Sequence, residues 1–298
     1  MASDVDTLAA NLMRDFGRYG FAVVVDHGID RDAIAAGDTA ARALFALPED
    51  RKRQWHVPGM GGQRGYTPFG TEAAKGEALV DQKEFWHVGR ELAAGHRYRG
   101  EMPDNIWPDI DGFKAASLAL YDAFDKAGQR LLAAIARGLG LADDFFVEPT
   151  RDGNSILRYL HYPPQDAKPN GIRAAAHEDI NTITLLLGAE ERGLQLLTKS
   201  GEWLDIDVPD GALVINVGDM LQRLTNHVLP STTHRVVNPE GEATRRARFS
   251  MPFFLHFAPD YRIETLSGCV TADNPDRYKE PITANAYLYQ RLKEIRLI

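Results

Sequence analysis

With 298 residues, 44% hydrophobic and 26% charged, the chain can bury a large core without covalent staples, and it has the make-up of an ordinary globular protein. Its net charge of −8 excludes charge-driven attraction to nucleic acid or an anionic membrane, and its one cysteine, Cys269, excludes an internal disulfide framework. No apolar run approaches the roughly 20 residues that a membrane span needs.

Met1 to Ala10 is short, acidic and mixed, without the basic-then-apolar order of a secretory signal, so a cytoplasmic protein with no membrane partner is expected. Leu8, Leu12 and Phe16 follow helical spacing, and Gly17 and Gly20 are expected to end that helix. Phe21 to Val25 is β-rich and stops at Asp26-His27-Gly28. Asp30 is placed to cap a helix running to about Leu47, before Pro48. Val57 to Gly76 carries Pro58-Gly59, Gly61-Gly62 and Pro68 and is predicted to be an irregular loop. Phe113, Leu120, Phe124, Leu131 and Ile135 lie on one stripe of a long helix from about Phe113 to Gly138.

From about Asn154 the pattern changes to short β-rich runs separated by turn residues. The runs are Ile156–Leu160 before Pro163-Pro164, Thr182–Leu187 before Gly188, and Gly193–Leu197, with a hairpin signal at 199–202. They continue as Trp203–Val208, Ala212–Val217, Val228–Val237 before the turn at 238–241, and Arg246–Phe257. Strands at this spacing predict a sandwich or barrel. A last helix is expected from about Thr283 to Ile298. The fold class is therefore α+β: a β-sandwich or jelly-roll core with a helical N-terminal region packed on it. Three segments follow, a mainly helical 1–150, a β core over 151–260 and a C-terminal 261–298, all one integrated unit because no linker separates them.

The chemistry sits in the β half. If His177-Glu178-Asp179 is extended, His177 and Asp179 share a face and Glu178 points away. His234 lies in another strand-like run. Two imidazoles and one carboxylate on one face of an octahedron leave three positions open, the facial triad of non-haem iron oxygenases. The same donors also serve catalytic zinc, although the His-x-x-x-His pair usual for such hydrolases is absent from the sequence. Downstream, Arg248 and Ser250 stand two apart, opposite the apolar row Phe249, Met251, Phe253, Leu255 and Phe257. A guanidinium facing inward beside a hydroxyl is suited to the carboxylate of a ligand.

These motifs resemble the isopenicillin N synthase-like group of Fe(II)- and 2-oxoglutarate-dependent oxygenases. The resemblance is carried by Tyr19-Gly20-Phe21 through Asp26-His27-Gly28-Ile29 and by Leu157-Arg158-Tyr159-Leu160-His161-Tyr162-Pro163-Pro164. It continues through His177-Glu178-Asp179, His234-Arg235-Val236-Val237-Asn238-Pro239 and Arg248-Phe249-Ser250-Met251-Pro252-Phe253-Phe254, in the family's order. It implies a double-stranded β-helix core, iron held by His177, Asp179 and His234, and the far carboxylate of 2-oxoglutarate bound by Arg248, Ser250 and the hydroxyl of Tyr162. Leu160 stands where plant members often carry Asn, which removes one polar contact beside that tyrosine. The implied reaction uses dioxygen to oxidise a small-molecule substrate by hydroxylation, desaturation or ring closure, and releases succinate and carbon dioxide. The alternatives are an oxidase of the same fold that does not use 2-oxoglutarate, a zinc-dependent hydrolase, and a non-catalytic binding protein. Tyr66, Phe69, Phe85 and Trp86 are candidates for the substrate pocket, although an aromatic in such a position is more often ordinary packing.

Overall fold

A computed structural model describes residues 2–71, 81–164, 172–187, 193–239 and 241–294. The helices are α1 (Ala2–Tyr19), α2 (Arg31–Phe45), α3 (Glu49–Lys52), α4 (Phe113–Gly138), α5 (Val147–Thr150), α6 (Asp219–Leu224) and α7 (Ala284–Glu294). The strands are β1 (Phe21–Val24), β2 (Gly65–Thr67), β3 (Glu84–Gly89), β4 (Ile156–Tyr162), β5 (Ala174–His177), β6 (Ile183–Leu187) and β7 (Leu194–Leu197). They continue as β8 (Trp203–Asp205), β9 (Leu213–Val217), β10 (His234–Val236), β11 (Arg248–Ser250), β12 (Pro252–Leu255), β13 (Arg262–Ile263) and β14 (Ile282–Thr283).

Two antiparallel sheets carry the architecture. The larger runs β1-β9-β6-β12-β4-β3-β2, with β11 also paired to β4; the smaller runs β5-β10-β7-β8. Strand alternation sorts the side chains of the large sheet into two sets. Ile183, Leu185 and Leu187 of β6 and Leu213, Ile215 and Val217 of β9 join a core with Phe16 of α1, Leu44 of α2 and Leu120 and Phe124 of α4. Val214 of β9 and Phe21 of β1 face the other way and pack with Ala174, Leu194, Leu196 and Val236 of the small sheet. The layers are thus helices, large sheet, small sheet: a double-stranded β-helix with helices covering one outer face.

The long α4 has the predicted bounds, and all five stripe residues are buried. Its close seat on the sheet depends on Gly128, where a Cβ would stand 2.4 Å from Leu255 Cδ1. Asp30 caps α2 as expected, its side chain accepting from the Asp32 backbone N–H. Cys269 is buried.

Several expectations are corrected. Gly17 does not stop α1, which continues to Tyr19. The stop is Gly20, held at φ +69°, where a Cβ would lie 2.3 Å from Thr232 Oγ1. The Gly/Pro-rich stretch after Val57 contains β2, because its residues 65–67 find a partner in β3; the part from 72 to Gly76 lies outside the described residues. Of Val228–Val237 only His234–Val236 is strand, since Thr225, Asn226 and His227 close α6 with two consecutive left-handed residues, Asn226 and His227. Arg246–Phe257 is not one strand but β11 and β12, broken at Met251 as the chain passes from a pairing with β4 alone to one with β4 and β6. Trp203–Val208 shortens to β8. The expected turn at Gly188, Glu240 of the 238–241 turn and the last helical turn to Ile298 lie outside the described residues.

Candidate metal centre

β5 ends on His177, and β10 begins on His234, directly opposite it in the antiparallel pairing. Asp179 is not a second strand residue, as the sequence pattern suggests; it sits just past the end of β5, in the turn before β6. The turn still brings it in. One ligand atom from each of His177, Asp179 and His234 lies within 4.8 Å of the others, and Asp179 Oδ1 is 3.9 Å from His177 Nε2 and 4.0 Å from His234 Nε2.

The outer atoms of all three side chains are already engaged. His177 Nδ1 is 2.7 Å from the Ala175 carbonyl and His234 Nδ1 is 3.1 Å from the Thr232 carbonyl. A carbonyl only accepts, so each Nδ1 carries the proton and each Nε2 presents a lone pair to the centre. Asp179 Oδ2 accepts from Thr184 Oγ1 at 2.5 Å and from Asn216 Nδ2 at 2.8 Å, which leaves Oδ1 toward the imidazoles. Burial works against the Asp179 charge, but the two imidazoles and these two bonds outweigh it and hold the carboxyl below its usual pKa. Burial, with the neighbouring His234, lowers His177 to about 4, so its imidazole is neutral at physiological pH, as metal ligation requires. A divalent first-row metal fits this donor set and its preset orientations. Glu178 turns away: it accepts from Thr233 Oγ1 at 2.9 Å and lies 3.9 Å from Arg291 Nη2 of α7.

Arg248 and Ser250 pair with Tyr162 and Leu160 across β11 and β4. Opposite residues of an antiparallel pair share a face, so Arg248, Ser250 and Tyr162 gather on one side of the sheet, all buried. The Arg248 Cζ lies 5.0 Å from the Tyr162 ring centroid, and Arg173, which the sequence reading missed, approaches the same ring at 5.8 Å. Leu160 fills the adjacent position with Phe85. On the opposite face, Phe249 stacks on His161.

A cavity of about 340 Å3 opens beside the triad. His177 and Asp179 line it; Arg248, Ser250 and Tyr162 are not among its described lining residues. Its wall follows strand alternation: Asp81, Lys83, Phe85 and His87 on and before β3, and Asn154, Ile156 and Arg158 on and before β4. Of the four candidate aromatics only Phe85 lines it. Trp86 and Tyr66 point to the core, the latter with its hydroxyl between Glu84 and Glu49, and Phe69 is exposed. The polar wall residues escaped the sequence reading, as did Thr184 and Asn216. Asp81 joins the wall to the metal strand: its Oδ1 accepts from the Ala175 backbone N–H at 2.9 Å and its Oδ2 from Lys83 at 2.7 Å.

Two family models match the chain: the 2OG-Fe(II) oxygenase superfamily over residues 151–257, and the N-terminal region described as non-haem dioxygenase in morphine synthesis over residues 1–110. The chain is 35% identical to the 2-oxoglutarate-Fe(II) type oxidoreductase hxnY of Emericella nidulans, over 89% of this chain and 78% of that one. It is 32% identical to the proline hydroxylase buaE of Petromyces alliaceus, over 96% and 93%. Among solved structures, a 2OG-Fe(II) oxygenase family protein of Caulobacter crescentus superposes with a TM-score of 0.92 at 55% identity, covering 99% of this chain and 96% of that one. Full-length Neurospora crassa T7H, solved with alpha-KG and also with thymine, gives 0.86 at 29% identity over 97% and 91%. The zinc-hydrolase alternative and the oxidase that omits 2-oxoglutarate are not favoured. The chain belongs to the 2OG-Fe(II) oxygenase superfamily and is a 2-oxoglutarate/Fe(II)-dependent dioxygenase.

Proposed function

We propose that His177, Asp179 and His234 hold the iron and that Arg248, Ser250 and Tyr162 hold the far carboxylate of 2-oxoglutarate, for the oxidation of a small molecule. The observation that carries this reading is the convergence of two Nε2 atoms and Oδ1 at about 4 Å, with every outer atom of the three side chains already bonded. Iron(II), when bound, supplies the oxidative chemistry with dioxygen and 2-oxoglutarate that releases succinate and carbon dioxide. The protein's part is placement. Ala175 and Thr232 fix the imidazole tautomers, Thr184 and Asn216 aim the carboxylate, and the buried guanidinium of Arg248 orients the cosubstrate. The cavity beside His177 and Asp179 takes the substrate and limits its contact with water.

The reading extends to the chain as a whole. Segments 1–150, 151–260 and 261–298 act as one unit, supported by β1 pairing with β9 and β3 with β4. No helix among the described residues is long and apolar enough to cross a membrane. A cytoplasmic enzyme with no nucleic-acid partner is supported by the net charge of −8 and the lone buried Cys269.

The test is an anaerobic titration with Fe(II) and then 2-oxoglutarate, followed by a metabolite screen for substrate-dependent succinate. Saturable binding of both, with succinate released only when a substrate and dioxygen are present, is expected. Oxidation of a substrate with no succinate would sink the 2-oxoglutarate assignment.

A further inference from the structure

Phe253 and Leu255 of β12 pack in the core. Alternation therefore turns Phe254 and the next residue but one, His256, to the cavity, and both line it. His256 is 7% exposed. Its backbone N–H donates to Ser155 Oγ at 3.1 Å, and among the described residues neither nitrogen of its imidazole has a hydrogen-bond partner. Neither is sealed inside the protein, where an unpaired polar atom would be costly; both open on the cavity. Burial lowers the ring to about 4, against the opposing pull of the Asp179 carboxylate, so it is neutral at physiological pH. A neutral imidazole offers one N–H and one acceptor nitrogen.

The pairing of β12 with β4 sets Phe254 opposite Ile156, and two residues further the same register sets His256 opposite Asn154. Gly153 lets the two chains close together there, since a Cβ on it would stand 2.0 Å from the His256 carbonyl oxygen. Asn154 is likewise 7% exposed and lines the cavity. Its Oδ1 accepts from Arg64 Nη2 at 3.0 Å. A guanidinium only donates, so the amide has one orientation. Its Nδ2 is left open to the cavity, with no partner among the described residues. Arg64 is itself held: Nη1 donates to the Gln63 carbonyl at 2.7 Å, and Cζ lies 2.1 Å from where a Cβ on Gly89 would stand.

We infer that Asn154 and His256 are specificity-determining residues of this cavity, and that the substrate is a small molecule whose hydroxyl or amide group accepts from Asn154 Nδ2 and donates to the acceptor nitrogen of His256. A hydroxyl does both through one oxygen, and a secondary amide does so through its C=O and N–H. Asn154 requires an acceptor, because the atom it leaves open is a donor. His256 completes the pair for any group that also carries a proton. Phe254 and Ile156 beside them are apolar, so a hydrogen bond made there is stronger than in water and an unmade one is costly. The volume of about 340 Å3 suits a small molecule rather than a peptide or polymer.

This inference rests on the reading of the cavity as the substrate site of the dioxygenase. The experiment is anaerobic calorimetry on the full chain with saturating Fe(II) and 2-oxoglutarate, repeated on the metal-free chain. The probes are cyclohexanol and benzyl alcohol, each beside its methyl ether, and 2-piperidone and caprolactam, each beside its N-methyl derivative. In the parent, at least one probe should bind about tenfold or more tightly than its methylated form, as expected when a buried acceptor loses its donor. The alcohol and lactam arms show which of the two groups the site takes. His256→Phe keeps a ring without nitrogens and should abolish the preference, and His256→Gln, which keeps a donor and an acceptor, should restore part of it. Asn154→Asp keeps the oxygen that Arg64 meets but loses the N–H groups, and should weaken binding of the preferred probe about tenfold or more. Circular dichroism is the folding control for each variant. Equal binding of the two forms by the parent, including no detectable binding of either, would overturn the inference. A preference that survives in His256→Phe would reflect size alone and would overturn it too. Failure of the parent to bind Fe(II) or 2-oxoglutarate would instead count against the cofactor assignment, and the same comparison on the metal-free chain would still decide the roles of Asn154 and His256.

Discussion

Thr184 and Asn216 stand directly opposite one another on β6 and β9, and both donate to the same atom, Asp179 Oδ2. Alternation turns both toward the small sheet, while their neighbours Ile183, Leu185, Ile215 and Val217 pack under the helices. A single cross-strand pair therefore fixes which oxygen of Asp179 faces the two imidazoles. Thr184→Val and Asn216→Leu each remove one bond to Asp179 at nearly constant volume, and Thr184→Val also removes the acceptor of Asn181 Nδ2. Each should weaken Fe(II) affinity by roughly 10–100-fold, the range typical for the groups that orient metal ligands. Anaerobic Fe(II) titration with circular dichroism as the folding control checks this; unchanged affinity in both variants would show that Asp179 needs no such support.

The three proposed ligands themselves should be far less tolerant. His177→Ala, His234→Ala and Asp179→Ala each delete one of three protein donors and should abolish Fe(II) binding or nearly so. Glu178→Gln is the internal control, because Glu178 is directed to Thr233 and Arg291. Its iron binding should stay within a few-fold of the parent. Metal content after anaerobic reconstitution and desalting reads all four.

The parts of the candidate site that could be read in the sequence are those encoded by close spacing. His177 and Asp179, or Arg248 and Ser250, are two residues apart, so a local pattern brings them together, even though Asp179 reaches the centre by a turn rather than along a strand. The long α4 could be read for the same reason, since one apolar stripe fixes both its period and its length. Thr184 with Asn216 and Asn154 with His256 could not, because each pair is made by strand register between distant segments, and nothing local in either segment marks the partner. Adjacent residues on one strand show the same limit. Phe85 and Trp86 have similar chemistry and both lie on β3, yet alternation sends Phe85 to the cavity and Trp86 to the core beside Phe113. Only the pairing of β3 with β4 decides which ring goes where.

Stability should depend on pH through His256, a buried cavity residue beside Phe254. Burial lowers its pKa from 6.5 to about 4. Between those values the unfolded chain binds a proton that the folded chain does not, so this group destabilises the fold progressively as pH falls from about 6.5 toward 4 and has no effect above that window. Asp219 acts in the opposite direction, because burial raises its pKa to about 6 and the folded state takes up the proton first. Comparing the parent with His256→Gln separates the two. The parent should lose on the order of 2 kcal/mol more than the variant between pH 7 and pH 5. Urea midpoints of the metal-free proteins at several pH values measure the difference; parallel curves would mean that His256 titrates normally in the fold.

Substitution of Arg248, the proposed anchor, should separate cosubstrate binding from metal binding. It is 4% exposed, lies 5.0 Å from the Tyr162 ring, and sits on β11, whereas the metal candidates sit on β5, the turn after it, and β10. Arg248→Ala should therefore leave Fe(II) affinity within a few-fold of the parent. Loss of one partner of a buried charge pair costs on the order of 2–5 kcal/mol, so 2-oxoglutarate should bind at least tenfold more weakly. Ser250→Ala removes one hydrogen bond to a charged group, roughly 1.5–3 kcal/mol, and should weaken binding less. Arg248→Lys keeps the charge without the fork and should fall between the parent and Arg248→Ala. Tyr162→Phe tests the phenolic hydroxyl while keeping the ring against Arg248, and its effect should resemble that of Ser250→Ala. The measurement is an anaerobic titration of the Fe(II)-loaded protein with 2-oxoglutarate, following the visible absorption that chelation produces. Parent-like 2-oxoglutarate affinity in Arg248→Ala would move the anchor elsewhere, and the buried Arg173, which shares the Tyr162 ring at 5.8 Å, would be the next residue to substitute.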